Sequence, residues 1–139
     1  MIIVDTNVIS ELMRPLPSPA VVAWLSSQTP DDVFTTAITV AEVLYGVELL
    51  PKSKRREALL QQVAATFSED FSGRILFFDE QAARMFASIA VSRRTLGRPI
   101  GILDAQIVAI SKVHGATLAT RNTDDFEGCG VRLINPWQN

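Results

Sequence analysis

Short apolar runs alternating with longer amphipathic stretches constrain this chain more than any other feature. Residues 2–5, 33–36, 74–78, 116–120 and 131–134 are rich in Ile, Val, Leu, Phe and Thr and read as five strands. Helices are expected between them. One runs from Val8 to Met13 and is broken by Arg14-Pro15-Leu16-Pro17. A second is capped by Ser18, starts at Pro19 and reaches about Gln28. A third opens at Thr39 and is stopped by Pro51. Ser53 caps a fourth, with Leu59, Leu60, Val63, Ala64 and Phe67 at helical spacing. Asp79 caps a fifth, a sixth runs from Ile102 to Val113, and a short turn or helix lies around Thr123–Phe126. This alternation predicts an α/β three-layer sandwich on a mainly parallel five-stranded sheet. Right-handed crossovers place helices on both faces, and the working crevice falls at the carboxyl ends of the strands. With no linker, repeat or low-complexity tract, all 139 residues are expected to form one domain.

Three acids stand out because each is alone in an apolar stretch. Asp5 closes the first strand, and the first basic residue after it is Arg14. Glu42 lies in Ala37-Ile38-Thr39-Val40-Ala41-Glu42-Val43-Leu44. Asp104 is the sole charge between Arg98 and Lys112. A carboxylate at the end of a buried strand is costly without a partner. For Asp5 that partner is a distant residue, a metal ion or solvent. In the predicted topology all three fall on one rim, with Asn122, Asp124 and Asp125 just past the fourth strand.

Each acid also has a structural explanation. Thr39-Val40-Ala41-Glu42 matches a capping box, in which Glu42 reaches back to the Thr39 amide. Asp104 complements a helix dipole, Asp79 reads as a plain N-cap, and Asp124 and Asp125 suit a turn. Asp5 has the weakest such alternative, an Asx-turn or a cap for the helix after it. Taken together, converging carboxylates would repel one another, and divalent cations remove that repulsion. Oxygen ligands without His or Cys select hard ions, Mg²⁺ or Mn²⁺. One or two such ions, the pair about 4 Å apart, activate water and stabilise the leaving oxygen of a phosphodiester.

Composition excludes other classes. The single Cys129 and single His114 cannot build a Cys/His zinc site, and His114, before Gly115, reads as a helix-end residue. One cysteine forms no internal disulfide, which fits a cytoplasmic protein. No apolar run approaches the roughly 20 residues of a membrane span, and no signal peptide is evident. A net charge of −2 argues against gripping nucleic acid by bulk charge. Two local basic clusters remain, residues 52–56 and Arg93-Arg94 with Arg98, for which solvated helix faces are the plain reading.

Ile3-Val4-Asp5-Thr6-Asn7-Val8-Ile9-Ser10, Thr39-Val40-Ala41-Glu42, Leu103-Asp104-Ala105-Gln106-Ile107 and Ala119-Thr120-Arg121-Asn122-Thr123-Asp124-Asp125-Phe126 occur in this order. They resemble the successive motifs of PIN-domain ribonucleases, of the VapC/FitB type found as toxins in bacterial toxin–antitoxin pairs. The resemblance implies a Mg²⁺- or Mn²⁺-dependent endoribonuclease, an RNA substrate, a DNA-binding antitoxin partner and a homodimer. It implies that Asp5 and Asp104 are the principal metal ligands and that Glu42 completes the site. Thr6, Asn7 and Thr120 would orient the cluster. Many family members carry an acid where this chain has Asn122, so Asp125, or else Asp124 or Asn122 itself, is expected to complete the set. Arg55, Arg56, Arg93, Arg94, Arg98 and Arg121 are candidates to guide RNA, with Arg121 beside the expected site and Arg98 next. Two other readings are an aspartate-nucleophile phosphohydrolase, which would want an acid at Asn7, and a non-catalytic binding module.

Overall fold

A computed structural model describes residues 1–138. Its core is a five-stranded sheet of β1 (Ile2–Val4), β2 (Val33–Thr36), β3 (Ile75–Leu76), β4 (Thr117–Ala119) and β5 (Leu133–Ile134). The order is β3-β2-β1-β4-β5 and every pairing is parallel, so the expected mainly parallel sheet is parallel throughout the described residues. Residues alternate across the pleat: Ile3 and Leu118 enter one core, Val4 and Ala119 the other. All four are wholly buried, as a parallel sheet covered on both faces requires. Burying Ile3 or Val4 contributes about 1.5–3 kcal/mol each, which anchors β1 at the centre.

Helices α1 (Thr6–Leu12), α2 (Pro19–Ser26), α3 (Ala37–Glu48) and α4 (Lys54–Ala65) cover the Val4 face, through Val8, Val21, Trp24, Val43 and Val63. Helices α5 (Glu80–Thr95), α6 (Ile102–Val113) and α7 (Thr123–Phe126) cover the Ile3 face, through Ala82, Ile89, Ile107, Ile110 and Phe126. The chain thus forms three layers. Strand order reverses between β1 and β4, each of which leads from there to opposite edges, so a crevice opens at their carboxyl ends.

Several local expectations change. Helix α1 begins at Thr6, not Val8, because Asp5 caps it: Asp5 Oδ1 accepts from the amides of Asn7 (3.0 Å) and Val8 (3.3 Å). The N-cap of α3 is Thr36, not Thr39; the Thr36 hydroxyl accepts from the Thr39 amide at 3.1 Å. The capping box read for Glu42 is therefore absent. Ser18 makes no side-chain cap; its amide instead donates to Glu11 Oε2 at 3.1 Å. Ser53 and Asp79 cap as expected, and His114 ends α6. Strands β3 and β5 are two residues each, shorter than their apolar runs. A single π turn, Thr66–Asp70, continues α4 and was not legible in the sequence.

Arg93 corrects the reading of the second basic cluster as a solvated face. It is 4% exposed, and its guanidinium donates to the carbonyls of Arg98 (2.8 Å), Asp125 (2.8 Å) and Glu127 (3.1 Å). It is a clamp between the end of α5 and the α7 segment, unavailable to a ligand. Its phase with Ala82 and Ile89, eleven and four residues earlier on the same helical face, was the signal for burial.

Candidate active site

Asp5 stands at the carboxyl end of β1, at the switch point of the sheet, and is 4% exposed. Its partner comes from far along the chain. Thr120, the residue after β4, donates its hydroxyl to Asp5 Oδ2 at 2.5 Å. The Thr120 hydroxyl in turn accepts from the Asn122 amide at 3.2 Å, which fixes its own proton toward Asp5. Both Asp5 oxygens are thus oriented, one by backbone amides and one by a wholly buried hydroxyl. Burial nevertheless dominates: it raises the Asp5 pKa to about 6, against the lowering by Thr120, Val8 and Asn7, and the nearby charge of Asp104 raises it further.

Glu42 is bound from the neighbouring helix. Thr6 donates to Glu42 Oε1 at 2.7 Å, and its oxygen is 3.2 Å from the Thr39 hydroxyl. With one proton to give, Thr6 serves the carboxylate. Glu42 thus lies across the α1–α3 contact, half-buried and turned to the rim. Asp104, half-buried in the first turn of α6, has its pKa raised by burial first, then by the charges of Glu42 and Asp125. Asp125 is exposed on α7. Asp5 therefore feels Asp104, and Asp104 feels Glu42 and Asp125. Asp124 exerts no such influence and its carbonyl accepts from Arg98 at 3.1 Å.

The donor set fits a hard divalent cation. It is all oxygen, and among the described residues no Lys or Arg forms an ion pair with Asp5, Glu42, Asp104 or Asp125. Burial raises Asp5 and Asp104 first and mutual repulsion adds to it; a bound cation relieves the repulsive part. As the side chains stand, no three acid, His or Cys groups among the described residues are gathered tightly enough to hold one ion. The acids lie at charge-coupling range, and closure onto an ion requires side-chain movement.

Of the supporting residues, Thr6 and Thr120 bond the acids by their side chains, whereas Asn7 and Asn122 act through backbone amides. Asn7 and Asn122 line an adjoining cleft with Glu11, Arg14, Arg121 and Trp137. Arg121 is exposed there, its guanidinium 5.2 Å from the centre of the Trp137 ring. Arg98 is turned to α7, 4.0 Å from Glu127 Oε2. Arg56 pairs with Glu48 at 2.6 Å, away from the acids. Sequence reasoning passed over Arg14, Trp137 and above all Glu11. Glu11 is 6% exposed and its pKa is lowered, first by the Ser18 amide against the opposing effect of burial, then by Arg14 and Trp137. Its isolation in Val8-Ile9-Ser10-Glu11-Leu12-Met13 was the same signal that singled out Asp5.

The PIN domain family matches residues 2–129. The toxin FitB of Neisseria gonorrhoeae is 44% identical over 139 residues, all of both chains. The VapC ribonuclease Y4jK of Sinorhizobium fredii is 40% identical over 138 residues, 99% of both. Among solved structures, FitAB bound to an IR36 DNA fragment superposes with a TM-score of 0.94 at 44% identity, covering 100% of this chain and 97% of the other. The family match over residues 2–129, and relatives 44% and 40% identical over essentially the whole chain, show that this chain belongs to the PIN-domain family.

Proposed function

We propose that this protein is a metal-dependent endoribonuclease acting as the toxin of a toxin–antitoxin pair. The observation that carries the reading is the mutual charge coupling of Asp5, Glu42, Asp104 and Asp125 on one rim, without a compensating Lys or Arg. The relatives named as a toxin and as a ribonuclease supply the biological class.

Asp5, Asp104 and Glu42 would hold a Mg²⁺ or Mn²⁺ ion, with Asp125 as the fourth acid. When bound, such an ion supplies an activated water and neutralises charge on the scissile phosphate. The chain's own residues do the positioning. Thr120 and the amides of Asn7 and Val8 lock the Asp5 carboxylate, Thr6 aims Glu42, and the Arg93 clamp holds the backbone that carries Asp125. We assign the fourth acid to Asp125 rather than Asp124 because Asp125 is the one of the two whose charge raises Asp104. Asp5 is poorly suited as a nucleophile: it is buried and both oxygens accept hydrogen bonds. That disfavours the phosphohydrolase reading.

The partner is a DNA-binding antitoxin, in line with the FitAB complex on DNA. Exposed Tyr45, Leu49 and Phe77 suit association of two copies. Among the described residues no helix is long and apolar enough to cross a membrane.

The decisive test is cleavage of RNA by purified Asp5→Ala and Asp104→Ala variants with Mn²⁺. Each should lose more than the roughly 10–100-fold that removing an outer-shell partner costs. Full activity in either folded variant sinks the assignment.

A further inference from the structure

Beside the acid rim lies a cleft of about 350 Å³, lined by Asn7, Glu11, Arg14, Arg121, Asn122 and Trp137. It adjoins the rim through the chain itself. The Asn7 amide donates to Asp5, and the Asn122 amide to Thr120, which bonds Asp5. Its charge is opposite in character to that of the rim. Two arginines meet one carboxylate, Glu11, and that carboxylate is spent internally. Glu11 takes the Ser18 amide at 3.1 Å and Arg14 Nη1 at 3.4 Å, with Trp137 close enough to lower its pKa. Glu11 thereby positions Arg14, and Trp137 backs the Arg121 guanidinium. The Trp137 amide donates to Asn135 Oδ1 at 2.9 Å, and Asn135 Nδ2 reaches the Arg121 carbonyl at 3.4 Å, so the two segments are tied together. Arg14 and Arg121 keep their heads in solvent.

We infer that this cleft is a subsite for a nucleotide flanking the scissile phosphate, with Arg121 stacked on Trp137 as its platform. The inference rests on the nuclease reading above and adds where the substrate's neighbouring residue is held. An arginine backed by an indole loses little freedom on binding and offers both charge to a phosphate and a planar surface to a base. The adjacent acids repel the backbone; two arginines one step away oppose that repulsion where no catalytic carboxylate is disturbed. No base-specific reading is implied, since stacking and charge are sequence-tolerant.

The chain has two tryptophans, and Trp24, on the inner face of α2, is buried in the core. A Trp24→Phe protein therefore reports on Trp137 alone. Hexaadenylate added in EDTA should change its emission saturably. In the unmodified background, anisotropy with labelled hexaadenylate should show Trp137→Ala and Arg121→Met each weakening binding about tenfold, with Trp137→Phe recovering most of the loss. In Mn²⁺-dependent cleavage the same loss should fall on KM rather than kcat. No emission change, or unaltered hexaadenylate affinity in folded Trp137→Ala and Arg121→Met, overturns the subsite. So does a loss confined to antitoxin binding, which makes the cleft a protein-docking surface. If the wild type binds hexaadenylate here yet cleaves no RNA with Mn²⁺, the subsite stands and the nuclease reading fails.

Discussion

Asp5 and Glu11 sit six residues apart on the same short segment and are almost equally buried, at 4% and 6% exposure, yet their acidities move in opposite directions. Asp5 accepts three hydrogen bonds but faces Asp104, and burial raises it to about 6. Glu11 accepts from the Ser18 amide and has Arg14 and Trp137 beside it, and is lowered. The difference lies in which effect wins: at Asp5 burial outweighs three hydrogen-bond donors, whereas at Glu11 the Ser18 amide outweighs burial. The Glu11 region is a finished structural cluster. The Asp5 region is unfinished, holding negative charge that the fold does not neutralise, and such a site is arranged for something that arrives from outside.

The sharpest way to test that contrast is to remove the charge at Asp5 while keeping its shape. Asp5→Asn should abolish cleavage and yet stabilise the metal-free protein. A rise from the ordinary 3.8 to about 6 means the ionised form is penalised on folding by about 3 kcal/mol. Because the folded pKa lies above the unfolded one, this penalty is absent below the ordinary carboxylate pKa and complete above about 6. Thermal melts in chelator should therefore show the Asn variant gaining at pH 7.5 and matching wild type at acid pH. An equal Tm at both would break the comparison. Thr120→Val tests the next layer: it keeps the acid and deletes its orienting hydroxyl. Mn²⁺ affinity by calorimetry should fall about 10–100-fold, and an unchanged affinity would remove Thr120 from the site. The smallest effect is expected from Glu11→Gln. Its lowered pKa contributes stability above the unfolded value that is lost as pH falls through the folded one. The variant should melt lower than wild type at neutral pH, with the gap closing on acidification; stabilisation instead would show that Glu11, too, awaits a cation.

Much of this was legible in the sequence. Short apolar runs bounded by turn residues placed every strand, and the lone acids Asp5, Glu42 and Asp104 stood out in the sequence. What failed was local and competitive. Thr36 and Thr39 are both good caps, and only the extension of β2 to Thr36 decides between them. Arg93 belongs to a basic cluster by composition but to the core by helical phase, and phase won because three carbonyls await it. Glu11 was missed although it is as isolated as Asp5; the Ser18 amide that binds it comes from beyond a proline-rich break. Such partners depend on how a loop closes, which periodicity does not encode.

The bond from Thr120 to Asp5 spans 115 residues, and β1 pairs with β4 across the same interval. Closure over such a distance comes late in folding, since non-local pairing is slow and its chain-entropy cost is met before its contacts form. During synthesis, Asp5 emerges first but lacks its orienting partner until nearly the whole chain has followed. A nascent or truncated chain therefore has no assembled acid rim. The parallel topology therefore doubles as a delay: the acids of the rim come together only after β4 has been made and has paired with β1.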